Sequence, residues 1–307
     1  MKPSSESIQD LVVGAVVVTY NPDMDALVLL LRQLRRQTQH IIVVDNHSSN
    51  DIERIPPDLS SIEIIKLNSN VGVASAQNVG IRRARALGAR YVVIFDQDSL
   101  PQEEMIDGLL RTLRAFNLGG SRVAAVGPAC VDGRWSRQLP FVRMHGLRYR
   151  RIYPGDTRAP IEVDHLISSG TLIRADVFDD VGLMNDSLFI DYVDIEWCMR
   201  ARMKGYALYG VPESQMYHSL GDNIVNIFGA SVGLHSPLRD YYLFRNGTWL
   251  ISRGRLPLQW KLIETARLIS RFVIYAMTAR TRSHAKSMLL GVADGVRGRL
   301  GKATRSL

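Results

Sequence analysis

Cysteine is nearly absent: Cys130 and Cys198 are the only two in 307 residues. That excludes a disulfide framework and makes a reducing compartment the expected setting. No run of about 18 uncharged apolar residues occurs, which argues against a spanning helix. The opening segment, MKPSSESIQD, lacks a basic stretch leading into an apolar one, so no secretory signal is expected. Internal repeats and low-complexity tracts are missing too. What is present is ordinary for a soluble globular chain, with 46% apolar and 22% charged residues, and excludes a disordered tail or a collagen-like fibre. The length suits one large domain or two modest ones, and a cytoplasmic location is the expectation.

Charge is unevenly distributed. The chain carries a formal +8. Beyond residue 250, twelve Lys and Arg stand against only Glu264 and Asp294, so the first 250 residues are about neutral. A neutral body with a strongly basic C-terminal segment needs two explanations.

The body alternates strand and helix patterns. Leu11–Thr19 is a continuous apolar run of strand length, as in a strand covered on both faces. Leu27, Leu30, Leu31 and Leu34 then recur at helical spacing. Ile41–Val44, Ile62–Leu67 and Tyr91–Phe95 read as further strands. Between and after them, Ala74–Leu87 and the Met105–Leu113 stretch read as helices. Such alternation predicts an α/β protein with a mostly parallel central sheet flanked by helices. Ligands of such sheets bind at the carboxyl ends of the strands. After Val123–Gly127 the pattern loosens. Residues 133–160, rich in Arg, Gly and Pro, read as a loop; Leu166–Ile173 reads as a strand and Asp194–Lys204 as a short helix.

Polar clusters sit at four strand ends: Thr19-Tyr20-Asn21, Asp45-Asn46, Asn68 to Gly72, and Asp96-Gln97-Asp98. One Asp after a strand is as readily a helix N-cap, but four such ends line one crevice, where short side chains can read a nucleobase and ribose. Asp96 and Asp98, two positions apart beyond a buried strand, can share a hard divalent cation, which in turn neutralises a diphosphate. Asp191, Asp194 and Glu196 form a second acidic cluster. It suits either a helix dipole or a general base within reach of an acceptor proton. His218 is a candidate third metal ligand. Arg239, Arg245 and Asn246 either hold phosphates or belong to helix-surface pairing.

Taken in order, VVVTYN (16–21), VVDNHSSND (43–51), NSNVGVASAQNVGI (68–81), FDQDS (95–99) and SSGTLIRADVFDDVGLMNDSLFIDYVDIEWCMR (168–200) resemble the family 2 glycosyltransferases of GT-A fold. The wordings FDQDS, FIDYVDIEWC, MYHSLG and YYLFRN are most similar to the bacterial rhamnosyltransferases among them. The resemblance implies a GT-A domain over residues 1–250, with a nucleotide-binding half at about 11–127 and an acceptor half at about 128–250. Thr19, Tyr20, Asn21, Asp45 and Asn78 are then expected to border the nucleoside, with Ser169, Gly170, Arg239 and Arg245 among the substrate contacts. Asp96 is expected near ribose and metal, Asp98 on the metal, and His218 beside metal or diphosphate, with Mg²⁺ or Mn²⁺ as the ion. Family members offer the base from a Glu-Asp pair. Here Val193 precedes Asp194, which leaves Asp194 first choice, Asp191 its rival and Glu196 in support. The implied reaction is inverting transfer, with dTDP-β-L-rhamnose as donor and a hydroxyl of a cell-surface glycan or glycolipid as acceptor.

Residues 251–307 read as a basic, amphipathic helical extension. From Leu258 to Ala279, Lys261, Glu264, Arg267 and Arg271 form a narrow polar stripe on an otherwise apolar surface. Two readings stand: a helix lying peripherally on an anionic membrane surface, or one docked on the body. Nucleic acid is not an expected partner, since the segment has neither a zinc-finger pattern nor aromatic-interleaved basic residues. A haloacid-dehalogenase-type phosphohydrolase is disfavoured because its DxD follows the first strand, and a processive synthase because no QxxRW motif occurs.

Overall fold

Val13–Thr19 forms β1, buried along its whole length, as a run of apolar residues without alternation requires. In the computed structural model, which describes residues 11–132, 137–218, 223–227, 230–234, 236–277 and 282–304, the alternation continues. It runs through α1 (Met24–Arg35), β2 (His40–Asp45), β3 (Glu63–Lys66), α2 (Val73–Ala86), β4 (Tyr91–Asp96), a short β5 (Ser99–Pro101), α3 (Met105–Leu118) and β6 (Val123–Asp132). The second half adds β7 (Arg137–Gln138), a hairpin of β8 (Phe141–His145) and β9 (Arg148–Ile152), and β10 (Ile161–Glu162). Next come β11 (Leu172–Arg174), α4 (Val177–Val181), α5 (Val193–Met203) and β12 (Ala207–His218). A separate ribbon, β13 (Asn223–Ile227) with β14 (Ala230–Leu234), precedes α6 (Pro237–Ser252), α7 (Leu258–Met277) and α8 (Arg282–Arg297).

The main sheet runs β10-β12-β6-β11-β4-β1-β2-β3, with β5 on β12 and β7 on β6. From β3 to β4 all pairs are parallel. β11 enters antiparallel to both neighbours, and β12 is parallel to β6. The register sets Thr19 opposite Asp45, and Val18 opposite Asp96. The polar ends of β1, β2 and β4 therefore emerge side by side at one edge, where the sequence pattern located them.

One core lies on each face of the sheet. Leu27, Leu30, Leu31 and Leu34 of α1 fill one, and each such burial is worth about 1.5–3 kcal/mol. Asp23 caps that helix by accepting the N–H groups of Asp25 and Ala26. On the other face α2 sits close enough to β1 that a Cβ on Gly80 would come within 2.2 Å of Val16 Cγ1.

Two expectations need correcting. Much of 133–160 is strand rather than loop, although 133–136 lie outside the described residues. FVRMH and RYRRI pair across a turn at Gly146, and Phe141 occupies the space a side chain at Gly210 would need. The strand expected over Leu166–Ile173 begins only at Leu172. Before it, Ser168 O accepts from Thr171 N and Gly170, at φ +77°, gives its N–H to Ile94 O at 2.7 Å, so the chain turns before it joins the sheet.

The C-terminal helices pack on the body. A Cβ on Gly291 of α8 would lie 2.4 Å from Tyr241 O of α6, and one on Gly295 would lie 2.5 Å from Arg245 O. The polar stripe of α7 turns toward this packing. Glu264 is buried against Arg267 and Tyr192, and Arg271 reaches buried Asp240 at 3.0 Å. The docked reading therefore describes the polar side of α7. No helix among the described residues is long and apolar enough to cross a membrane.

Candidate active site

A cleft of about 970 Å³ opens at the carboxyl edge of the sheet, at the upper end of the range for small-ligand sites. The strand ends supply Thr19, Tyr20, Asn46, Asp96, Gln97 and Asp98; the loop before β11 supplies Ser168; α5 and the turn before it supply Asp191, Tyr192 and Asp194; and β12 supplies His218. Arg239 from α6 and Arg267 from α7 complete the wall.

The end of the cleft where a nucleoside is expected is tied together by its own polar groups. Thr19 Oγ1 donates to Asp45 Oδ1 at 3.0 Å, and Asp45 also receives both donors of Ser48. Asn21, at φ +49°, accepts from Ser49. Asn21 and Asp45 thus shape the turn behind the cleft, while Thr19 and Tyr20 line it. Gln97, between the two aspartates, exchanges two hydrogen bonds with the Tyr20 backbone, at 2.7 and 3.2 Å. Asn46 and Asn70 hold the opposite rim, Asn46 Nδ2 donating to Asn70 Oδ1 at 3.1 Å.

Asp96, Asp98 and His218 converge so that one ligand atom from each lies within 4.8 Å of the others. Burial pushes the Asp96 carboxyl up from its ordinary range; Asp98 adds to this, and His218 and Arg239 oppose it. Two crowded carboxylates with an imidazole are a donor set for a divalent cation. A chain of hydroxyls behind them orients the ring: His218 Nδ1 lies 2.8 Å from Ser99 Oγ, which lies 2.6 Å from Ser169 Oγ. Ser169 in turn accepts from Asp96 N and donates to Met216 Sδ. In that direction Nδ1–H is the first donor, and the same nitrogen lies 3.7 Å from Asp98 Oδ1. The residues present fit a cation. Ser169 supports that group from behind, and Gly170, packed against Pro128 and Met216, provides the turn that aims it.

The acidic segment is strained. Phe189, Asp191 and Tyr192 all have φ near +65°, a conformation that costs non-glycine residues energy and persists only where surroundings enforce it. Asn246 enforces it here. Its Nδ2 donates to the carbonyls of Leu188, Ile190 and Asp191 at 2.7–3.0 Å, and Arg245 donates to Leu188 O as well. Asp191 faces Arg239 at 3.3 Å. Asp194 opens α5, and burial raises its carboxyl to about 6, opposed by the Ile195 N–H and reinforced by the charges of Asp96 and Asp191.

Several predicted positions fall elsewhere. Arg245 is not in the cleft wall: it is buried, bonded to Gly301 O and Leu188 O and stacked on Tyr242. Asn78 is buried as well, exchanging two 2.9 Å hydrogen bonds with the Met184 backbone. Glu196 turns to Arg200. Gln97 and Asn70 lie in the cleft within the strand-end clusters that the sequence marked, though without a role of their own there; Tyr192 and Arg267 were not among the expected site residues. The last two belong to one network, since Tyr192 Oη donates to Glu264 and Arg267 donates to both. The polar stripe of α7 was the available signal for Arg267.

Replacing Asn246 with Ala is expected to take the side-chain donor from the Ile190 and Asp191 carbonyls, Leu188 O keeping Arg245, and to cost about 2 kcal/mol or more. Turnover should fall further than donor affinity, because the acidic segment is displaced more than the nucleoside rim. Single-turnover rates measured beside donor Kd check this.

Residues 15–182 match the profile of Glycosyl transferase family 2. The dTDP-rhamnosyl transferase RfbF of Shigella flexneri is 34% identical over 287 residues, covering 92% of this chain and 95% of its own. The chain belongs to glycosyl transferase family 2. Its GT-A fold agrees with solved structures of low sequence identity. S. aureus TarS 1-349 in complex with UDP-GlcNAc gives a TM-score of 0.58 at 17% identity, over 94% of this chain and 81% of that one. GalNAc-T7 with UDP, GalNAc and Mn2+ gives 0.56 at 14% identity; the match covers 89% of this chain and spans 58% of GalNAc-T7. As a family member the protein is a glycosyltransferase.

Proposed function

We propose that the protein is an inverting rhamnosyltransferase. It moves L-rhamnose from dTDP-β-L-rhamnose to a hydroxyl of a cell-surface glycan or lipid-linked acceptor, at the inner face of the cytoplasmic membrane. The observation that carries the donor is the 34% identity to RfbF across nearly the whole length of both chains.

Asp98, Asp96 and His218 would hold Mg²⁺ or Mn²⁺, which when bound would supply Lewis-acid charge to the diphosphate side of the cleft. Thr19 and Tyr20 border the nucleoside, and Arg239 adds fixed positive charge to the same wall. Asp194 accepts the proton of the acceptor hydroxyl as its oxygen attacks the anomeric carbon. The bond from that carbon to the diphosphate oxygen breaks, its electron pair leaving with the diphosphate. One in-line displacement inverts the centre, giving an α-rhamnoside.

The test is thermal unfolding with Mg²⁺ or Mn²⁺ and a panel of sugar nucleotides. A donor at about 100 times its Kd stabilises the fold by roughly 2.7 kcal/mol, which raises Tm by on the order of 5 °C. A metal-dependent rise selective for dTDP-rhamnose is expected. A rise with a UDP- or GDP-sugar instead replaces the donor and keeps the family chemistry; no rise with any donor overturns the site.

A further inference from the structure

The cleft and the sheet leave the outer side of α7 unexplained. Leu258, Leu262, Ile269, Val273 and Met277 are 47–70% exposed, and with exposed Ala266 they fall within an arc of about 100°. Trp260, Glu264, Leu268 and Tyr275 are buried on the opposite side. Glu264, Arg267 and Arg271 turn toward Tyr192 and Asp240, while the aliphatic stripe turns outward. Isolated exposed apolar residues need no explanation, but a continuous stripe marks an interaction surface.

The hairpin beside the start of α7 presents exposed arginines. Gln259 Nε2 donates to Gly146 O, which ties the turn of the β8–β9 hairpin to the start of α7. Leu147, exposed at that turn, extends the apolar surface. Residues 141–152 contain no acid, and Arg148, Arg150 and Arg151 are exposed along β9. Within α7 the sole acid is Glu264, which is buried.

We propose that this face rests on an anionic lipid bilayer. The aliphatic stripe of α7 and Leu147 enter the acyl boundary, and the hairpin arginines sit among the headgroups. Apolar burial and attraction to anionic lipid act together on such a surface. A second copy of the chain is the poorer occupant, because pairing would bring two cationic surfaces together. Arg267 leaves the same helix toward the cleft, so α7 connects the membrane plane to the acceptor side of the site. Only this last step rests on the lipid-linked acceptor proposed above.

Flotation of the full chain tests the proposal, using vesicles of phosphatidylcholine with and without phosphatidylglycerol, at low and high salt. Binding should require phosphatidylglycerol and weaken with salt. It should fall at least about tenfold in Leu262→Ser/Ile269→Ser/Val273→Ser and in Arg148→Glu/Arg150→Glu/Arg151→Glu. All of these residues are exposed, so both variants should keep the metal- and donor-dependent rise in Tm. Absence of flotation, or equal flotation of all three chains, overturns the proposal. A concentration-dependent dimer lost in the serine variant, without vesicle binding, also overturns it and gives the face to a second copy. Failure of the rhamnose donor would appear in the Tm panel and leave flotation unchanged.

Discussion

Asp194→Asn should lose transfer by about 10²–10⁴-fold, the range for removing a general base, and yet fold more stably than the natural chain. The Asp194 carboxyl is raised from 3.8 to about 6, chiefly by burial. The folded state therefore holds this proton more tightly than the unfolded one. Between about pH 4 and 6 stability falls as pH rises, and above 6 the ionised carboxylate is a full destabilising load. At about 1.4 kcal/mol per tenfold change, and with the group facing an open cleft, the load is on the order of 2 kcal/mol. Asn carries no charge, so denaturant unfolding of the metal-free protein at pH 8 should show the variant more stable, and the gain should vanish near pH 4. Activity of the natural chain follows the same group with the opposite benefit. kcat/KM should rise about tenfold per pH unit toward 6 and then level, because the base must be ionised to take the proton. Asp191 is the weaker candidate on geometry, since its carboxylate is committed to Arg239. Full activity in Asp194→Asn would reverse that order.

The parts of this site that the sequence made legible are those fixed by local pattern. An apolar run followed by a short polar side chain marks a strand end, and parallel register then brings Thr19, Asp45 and Asp96 to one edge without further information. Carboxylates two residues apart, as in Asp96-Gln97-Asp98, announce themselves equally well. Positions on helices were harder, because spacing gives a side and not what that side meets. Arg245 and Asn246 are adjacent polar residues on α6 that the sequence reading directed to phosphate; the fold spends them on backbone carbonyls of the strained acidic turn. Asn78 is a similar case, its amide standing in for a strand partner of Met184. The β8–β9 hairpin escaped notice because exposed arginines interrupt its alternation. In the C-terminal segment the polar stripe was visible, but which side of it faced water depended on carboxylates elsewhere in the chain.

Asp240 is one of those carboxylates, and removing it should be the most damaging change outside the cleft. It lies fully buried in the first turn of α6. Arg271 of α7 contacts one oxygen at 3.0 Å, and His284 of α8 contacts the other at 2.7 Å. One side chain thus joins all three C-terminal helices. Neither bond is a large net gain over water, because desolvating the charges offsets much of their attraction. The asymmetry appears when one partner goes. Asp240→Ala leaves the Arg271 guanidinium largely buried without its counter-charge, and breaking such a pair costs about 3–5 kcal/mol. For a chain of this size Tm should fall by roughly 6–12 °C. Adding Arg271→Met should recover a large share of that loss, since a flexible apolar side chain of similar length then fills the space without a stranded charge. A double-mutant cycle by denaturant unfolding reads the coupling. Losses that simply add would mean that Asp240 acts through its hydrogen bond to His284 or the helix start rather than through Arg271. Because α6 carries Arg239 and α7 carries Arg267, both in the cleft wall, the single variant should also transfer more slowly than its folded fraction accounts for, and the double variant should regain stability ahead of rate.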